Sequence, residues 1–361
     1  HLNVSFSLGS DSFHHFTNSS CSAGSSTAEP PKDELLGGLM SVAFDGASCL
    51  SRHQSAWYRR KPSNHTPSPY LIRRLRRYEA LHKKCGPNTK LYRKAVEQLV
   101  SGTSTAAAEC NYVVWVPSDG LGNRIISIAS AFLYALLNDK VLLLHRTDDM
   151  GDLFCEPFPE TSWVLPSDFP VSSDMDTANA SLPASNQYFA PAFFLVPELG
   201  IQIRLFRRAH FDSHSDYIID CALTKRLLPN KLRSMYYEHA TTTGEVISVH
   251  QPSHEEEQHS EKLNHNMKAF AEIYLLSLSD ALITSPFSTF GYVAQGLGGL
   301  RPWLLVRPDD HDLCLHSTSM EPCFHFPPSY DCKARKKVDI GSVAPYLRHC
   351  EDFPHGVRLF D

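Results

Sequence analysis

The sequence predicts an α/β protein built from two doubly wound, Rossmann-like lobes with parallel sheets. Three observations predict it. Strand-forming runs alternate with helical stretches along the chain. The runs are continuously apolar rather than alternating, as in strands covered on both faces. Two of the strand-to-helix turns are made of small and hydroxylated residues, the chemistry of an open α/β sheet's ligand edge.

The elements follow in order. Residues 1 to about 65 are rich in Ser, Gly, Asn and Pro and read as a stem or linker. Residues 70–99 carry a basic helical pattern in which Leu71, Leu75, Tyr78 and Leu81 share one face. Its charges read as a solvated surface sooner than as a lipid or phosphate site. Tyr112–Val116 is a short strand, residues 117–120 a turn, Leu121–Asn138 a helix, and Lys140–Leu144 a second strand. That is a βαβ unit with a buried parallel pair. Gly200–Phe206 and Gly244–His250 read as further strands. Asn266–Ser279 is helical, Ala281–Thr284 is a strand, Ser288 opens another helix, and Pro302–Val306 is the strand after it. The second lobe is written in that alternation, and a nucleotide sugar fits the cleft between two such lobes.

Composition removes several classes. The chain has 361 residues, with Lys plus Arg 34 against Asp plus Glu 39, a net charge of −5. A non-specific nucleic-acid binder would be globally basic. The ten cysteines include no CxxC pair, and His311 with Cys314 has no second pair at finger spacing, so a zinc site is disfavoured. Cys314, Cys323, Cys332 and Cys350 crowd the C-terminal fifth, where they would staple loops in an oxidising compartment, with three pairings open. The sequons at Asn3, Asn18, Asn64 and Asn179 agree with that compartment. No run of about 18 apolar residues spans a bilayer, and an anchor is expected upstream of His1.

Three motifs carry chemistry. Asp119-Gly-Leu-Gly-Asn-Arg124 lies where a strand turns into a helix. Backbone N–H groups and the helix N-terminus there favour an anion, and Arg124 adds a planar cation. Arg204 sits inside the apolar strand 200–206, so it needs a partner: either a pyrophosphate or a structural carboxylate such as Asp220 or Glu245. Ser288, Thr289, Phe290 and Gly291 open a helix after a strand, a second anion seat in which Ser288 or Thr289 also serves as N-cap. His250 ends a strand and suits either sugar hydroxyls or a structural role. Glu255–Glu257 and Asp309–Asp310 read as loop acids. With no DxD-type pair after a strand, a metal-dependent transferase is disfavoured.

Taken together, YEALHKKCGP, SDGLGNRIISIASAFLYALLNDKVLLL, DMGDLFCEPF, SWVLPSDFP, GIQIRLF, LRSMYYEHATTTGEVISVHQPS, the long block from KAFAEIY to WLLVRP, SMEPCFHFPPSYDCKA and RHCED resemble the plant xyloglucan fucosyltransferase family, in that family's order. The resemblance implies a GT-B architecture. On it, residues 1–69 are a lumenal stem, 70–199 an N-terminal acceptor-side lobe, and 200–361 a C-terminal GDP-fucose lobe with a stapled tail. It implies a type II Golgi anchor, GDP-fucose as donor, no cofactor and no metal. The reaction it implies is inverting, with an α-1,2 link to a galactose of xyloglucan or an arabinogalactan protein, and it allows a homo-oligomer. Arg204 would steady the leaving diphosphate. Asn123 and Arg124, with Gly122 beside them, would face the same cleft, and Ser288, Thr289 and Phe290 would hold the nucleotide end; Gly291 and His250 count with the donor-binding residues. Members carry further segments between Phe169 and Tyr188, Leu199 and Gly200, and Asn230 and Lys231, where the blocks here abut. Asn186 stands where members can carry an acid. A non-catalytic relative that binds GDP-sugar, glycan or partner subunits is the alternative expectation.

Overall fold

The structure is a computed structural model that describes residues 37–40, 66–101, 109–117, 120–145, 150–170, 262–305, 314–325, 327, 330–331, 335–343 and 345–360. The expected strands at 200–206 and 244–250, with Arg204 and His250, lie outside the described residues.

Helix α1 (Pro69–Cys85) begins where Ser68 Oγ accepts the Leu71 N–H at 3.1 Å and Pro69 takes the first helical position. His82, Lys83 and Lys84 in its last turn suit the negative end of the dipole. Its apolar face is the expected one: Tyr78 is buried, Leu71 and Leu75 pack with it, and Leu81 packs one cluster over. Several of its cations are tied to carboxylates: Arg74 and Arg77 to Asp139, Lys83 to Glu160, and Lys84 to Glu109. That supports the solvated reading of this face. Helix α2 (Lys90–Ser101) follows, and a disulfide from Cys85 to Cys110 closes the pair onto the first strand.

Strands β1 (Tyr112–Trp115) and β2 (Val141–Leu144) run parallel, Tyr112 opposite Val141 through Trp115 opposite Leu144. Helix α3 (Leu121–Leu137) connects them as predicted. All four β2 residues are buried, which is why that run has no polar alternation. The outer edge of β2 is satisfied by side chains at Leu142 and by the backbone of Trp163 and Leu165 at Leu144. The Leu142 N–H donates to the Tyr78 hydroxyl at 2.9 Å, and the Leu142 carbonyl lies 3.3 Å from His82 Nε2. The short helix α4 (Met150–Leu153) then leads to Phe154, whose ring meets Phe270 at 5.3 Å.

The second unit starts with α5 (Leu263–Ser277) and β3 (Ile283–Thr284). β3 is shorter than the expected 281–284: Leu278 and Ser279 still bond back to the end of α5, and Leu282 joins the pairing only through its carbonyl, which accepts the Trp303 N–H at 2.8 Å. Helix α6 (Thr289–Gly298) ends at Gly299, whose φ of 61° is the left-handed cap that glycine adopts without strain. Strand β4 (Trp303–Leu305) is parallel to β3 and antiparallel to β5 (Cys314–His316). The tail adds β6 (Tyr330–Asp331), β7 (Lys336–Lys337), α7 (Ile340–Val343), and the hairpin β8 (Leu347–His349) and β9 (Val357–Leu359). A disulfide between Cys323 and Cys350 ties this hairpin back to the segment after β5.

Helix α3 belongs to both units. Ile128, Ala131, Ala135 and Leu136 face the first core. Ile125 and Ile126 pack on the second, against the cluster of Ile273, Leu276, Leu282, Val293, Ala294 and Leu300. The mixed α/β architecture expected of the chain is thus present, with the two βα turns on adjoining elements. Among the described residues, no helix is long and apolar enough to cross a membrane.

Candidate functional site

The first turn leaves β1 at Trp115 and enters α3 at Gly120, an extended N-cap with no side-chain capping bond. The first N–H groups of a 17-residue helix therefore receive nothing from their own cap. Asn123, one turn in, is 3% exposed. Both atoms of its side-chain amide are buried and lack a hydrogen-bond partner among the described residues. An amide left so is destabilising by about 1–3 kcal/mol, so a polar group is wanted there. Arg124 is half-buried in the same turn.

The second turn leaves β3 at Thr284 and enters α6 at Ser288. Ser288 is the N-cap: its Oγ accepts the Gly291 N–H at 3.2 Å. Gly291 is glycine because a Cβ there would lie 2.1 Å from Thr284 Oγ1, the side chain at the strand end. Phe287, just before the cap, has φ 61°, a strained conformation that costs a bulky residue about 1–2 kcal/mol.

The two turns touch. A Cβ on Gly122 would stand 2.8 Å from Thr289 Oγ1 and 2.9 Å from the Phe290 backbone nitrogen. The positive ends of α3 and α6 are therefore brought together, and the buried Asn123 is the residue after Gly122 on α3. Such a junction stabilises an anion from two sides. Of the residues expected at a site, Gly122, Asn123, Arg124, Ser288, Thr289, Phe290 and Gly291 lie on these abutting turns. Arg204 and His250 lie outside the described residues.

Behind α6 is a buried polar cluster that sequence reasoning missed. Asp352 Oδ2 accepts the Tyr292 hydroxyl at 2.5 Å, and Asp352 Oδ1 takes Arg358 Nη2 at 3.1 Å. The Tyr292 oxygen is 2.9 Å from His325 Nε2. Arg358 also bonds Ser317 Oγ and lies 3.2 Å from Glu351 Oε2, near enough for charge attraction though not aligned for a hydrogen bond. Burial, and then the Asp352 charge, raise the Tyr292 phenol well above its ordinary range. Burial lowers the His325 imidazole despite the opposing pull of Asp352. The only signal in the sequence was the placing of acid and His residues beside Cys350 and Cys323 in RHCED and EPCFHF. Cys323, Cys350 and Asp352 also lie close enough together to suggest metal ligands, but the two sulfurs are already joined as a disulfide. A separate apolar cavity of about 250 Å³ lies beside α3, lined by Tyr78, Ile125, Ile128, Phe132, Phe158 and Trp163 among others. The Tyr78 hydroxyl and His82 Nε2 in its lining are already tied to Leu142, so its wall is apolar, unlike a sugar or phosphate site.

Known proteins resemble this chain in sequence and fold. A family model described as xyloglucan fucosyltransferase matches residues 9–185 and 209–333. A galactoside 2-alpha-L-fucosyltransferase of Arabidopsis thaliana is 39% identical over 464 aligned positions, covering 91% of this chain and 83% of the relative. One from Pisum sativum is 37% identical over 491 positions, covering 98% and 85%. Both alignments are longer than the 361-residue chain, so these relatives hold residues with no counterpart here. The structure of an arginine-to-lysine mutant of Arabidopsis thaliana FUT1 in complex with GDP superposes with a TM-score of 0.73 at 36% identity, covering 91% of this chain and all of that one.

Proposed function

The chain belongs to the xyloglucan fucosyltransferase family, and from that membership we propose that it transfers fucose from GDP-fucose to a galactose of a cell-wall glycan, seating the donor diphosphate where α3 and α6 meet. One observation supports that seat above the rest: Gly122 lies against Thr289 and Phe290, so two helix starts meet there, and the next residue, Asn123, has an amide with no hydrogen-bond partner among the described residues.

The chemistry follows from charge. As the glycosidic bond to GDP breaks, negative charge grows on the diphosphate and the fucose ring gains oxocarbenium character. Donors already aimed at that charge lower the barrier, each by about 3–4 kcal/mol. The N–H groups at the start of α6 and the amide of Asn123 are such donors, Arg124 adds charge at the edge, and Arg204 is assigned to the leaving oxygens. Ser288, Thr289, Phe290 and Gly291 shape the nucleotide end, and His250 reaches sugar hydroxyls. Attack by the galactose 2-hydroxyl on the opposite face inverts the anomeric carbon. With cations and helix starts bearing the diphosphate charge, the reaction runs without a metal.

The disulfides Cys85–Cys110 and Cys323–Cys350 support work in an oxidising compartment, which we assign as the Golgi lumen with a type II anchor upstream. The assay is GDP release from GDP-fucose with galactosylated xyloglucan, with arabinogalactan protein as the second acceptor. Acceptor-dependent release that vanishes in Arg204→Ala is the expected result. GDP binding with no transfer to either acceptor would support instead the non-catalytic reading, which the residues missing relative to the curated enzymes favour.

A further inference from the structure

We propose that Tyr292, His325, Asp352 and Arg358 are positioning residues: a buried carboxylate, anchored by Arg358, holds the strained Phe287–Ser288 turn at the angle that presents the start of α6 to the donor diphosphate. This inference rests on the diphosphate seat described above. It begins from Phe287. A bulky residue keeps a φ of 61° only where its surroundings over-determine it. Here the ring packs edge-on between His325 at 5.3 Å and Phe353 at 5.4 Å. Its backbone N–H points to Asp352 Oδ2 at 3.5 Å.

The same carboxylate oxygen accepts the Tyr292 hydroxyl. Tyr292 is in the first turn of α6, and its N–H closes on the Ser288 carbonyl at 2.9 Å. One oxygen atom therefore grips both the residue before the helix and the helix itself, which fixes how the chain enters α6. The anchor comes from elsewhere in the sequence. Arg358, with no side-chain exposure, pairs with Asp352 and reaches Ser317 from β9. The disulfide Cys323–Cys350 fixes the two segments that carry His325 and Asp352. The proton count closes as well. Because the phenol donates its one proton to Asp352, His325 Nε2 is left as the donor to the phenol oxygen. A cluster that merely filled the core would need no strained neighbour beside it. This one sits directly against a distorted Phe287, next to the residues assigned to the nucleotide.

The test is Tyr292→Phe, which keeps the ring and removes the hydroxyl, measured by GDP release over a range of GDP-fucose and, separately, of acceptor. The expected result is a donor KM raised about tenfold with the acceptor KM unchanged. Phe287→Gly is the second variant, since glycine adopts the same φ without the locking ring, and it is expected to raise the donor KM likewise. Phe287→Trp, which restores a ring, should return it to within about twofold. Circular dichroism and a melting curve show that each variant folds. Folded variants with wild-type donor KM overturn the positioning role, as does a lower melting temperature with unchanged kinetics. Wild-type protein that neither binds GDP nor turns over GDP-fucose would instead overturn the reading beneath it.

Discussion

Replacing Gly122 by alanine sets two physical effects against each other. Local propensity favours the change: alanine in place of a helical glycine stabilises by up to about 1 kcal/mol. Packing opposes it. The new Cβ would meet the Phe290 nitrogen at 2.9 Å and the Thr289 carbonyl carbon at 3.0 Å, both backbone atoms of the α6 start, besides Thr289 Oγ1 at 2.8 Å. Ordinary contacts involving carbon are about 3.5–4.0 Å, so the helix starts must part by roughly 0.5–1 Å. Overpacking of this kind costs about 1–3 kcal/mol, leaving a net loss of about 0–2 kcal/mol, which a folded domain survives. Catalysis is less tolerant, because a 1 Å misplacement of positioned donors costs about 100-fold. The GDP-release assay should show kcat/KM for GDP-fucose down about 100-fold, with a melting temperature within several degrees of wild type. Gly296→Ala is the control. It lies in the same helix α6, its added Cβ meets nothing within 4 Å, and it should be neutral or slightly stabilising with full activity. Wild-type kcat/KM in Gly122→Ala would refute the claim that the two turns form one seat.

Other expectations follow from the same site and its supports. Asn123→Asp is nearly isosteric and puts a negative charge at a helix start, where it suits the dipole. It also repels a diphosphate, so calorimetry should show GDP binding weakened more than tenfold without an equal loss of melting temperature. Turnover should survive exhaustive chelation with EDTA, and loss of activity restored by a divalent cation would contradict the metal-free reaction. His82 is buried between α1 and β2, and burial lowers its pKa below 6.5. The unfolded chain thus takes up a proton that the folded one refuses. His82 leaves stability undiminished above about pH 6.5 and erodes it as pH falls through that value towards the lowered folded pKa, by at most about 1.4 kcal/mol per pH unit. Denaturant midpoints across that window should flatten in His82→Gln. Reducing or deleting Cys85–Cys110, which spans 25 residues, should destabilise the first lobe by about 3–4 kcal/mol, seen in thermal melts.

Much of the fold was legible because its signals are local. The apolar run of β2, the periodicity of α3 and the hydroxyl cap at Ser288 each appear in the structure within a residue or so of where the sequence put them. The anion-seeking turns were legible for the same reason, since glycine and serine at a strand-to-helix junction state their backbone chemistry directly. What remained hidden is long-range. No pattern near Gly122 tells that Thr289 lies against it, and no local rule brings Arg358 to Asp352, Tyr292 and Ser317. The Tyr292 cluster draws on residues 292, 317, 325, 352 and 358, each unremarkable where it stands. Disulfide pairing was undecidable for the same reason: the sequence allowed three pairings among the last four cysteines, and the structure joins Cys323 to Cys350.

On the proposed function, the donor diphosphate sits at the meeting point of α3 and α6. A crystal structure of this chain with GDP measures that directly. Phosphate oxygens are expected within hydrogen-bonding distance of the Thr289 and Phe290 N–H groups, with the Asn123 amide turned to them. GDP bound elsewhere, with the Asn123 amide satisfied by protein atoms and the α6 start facing no anion, would contradict it.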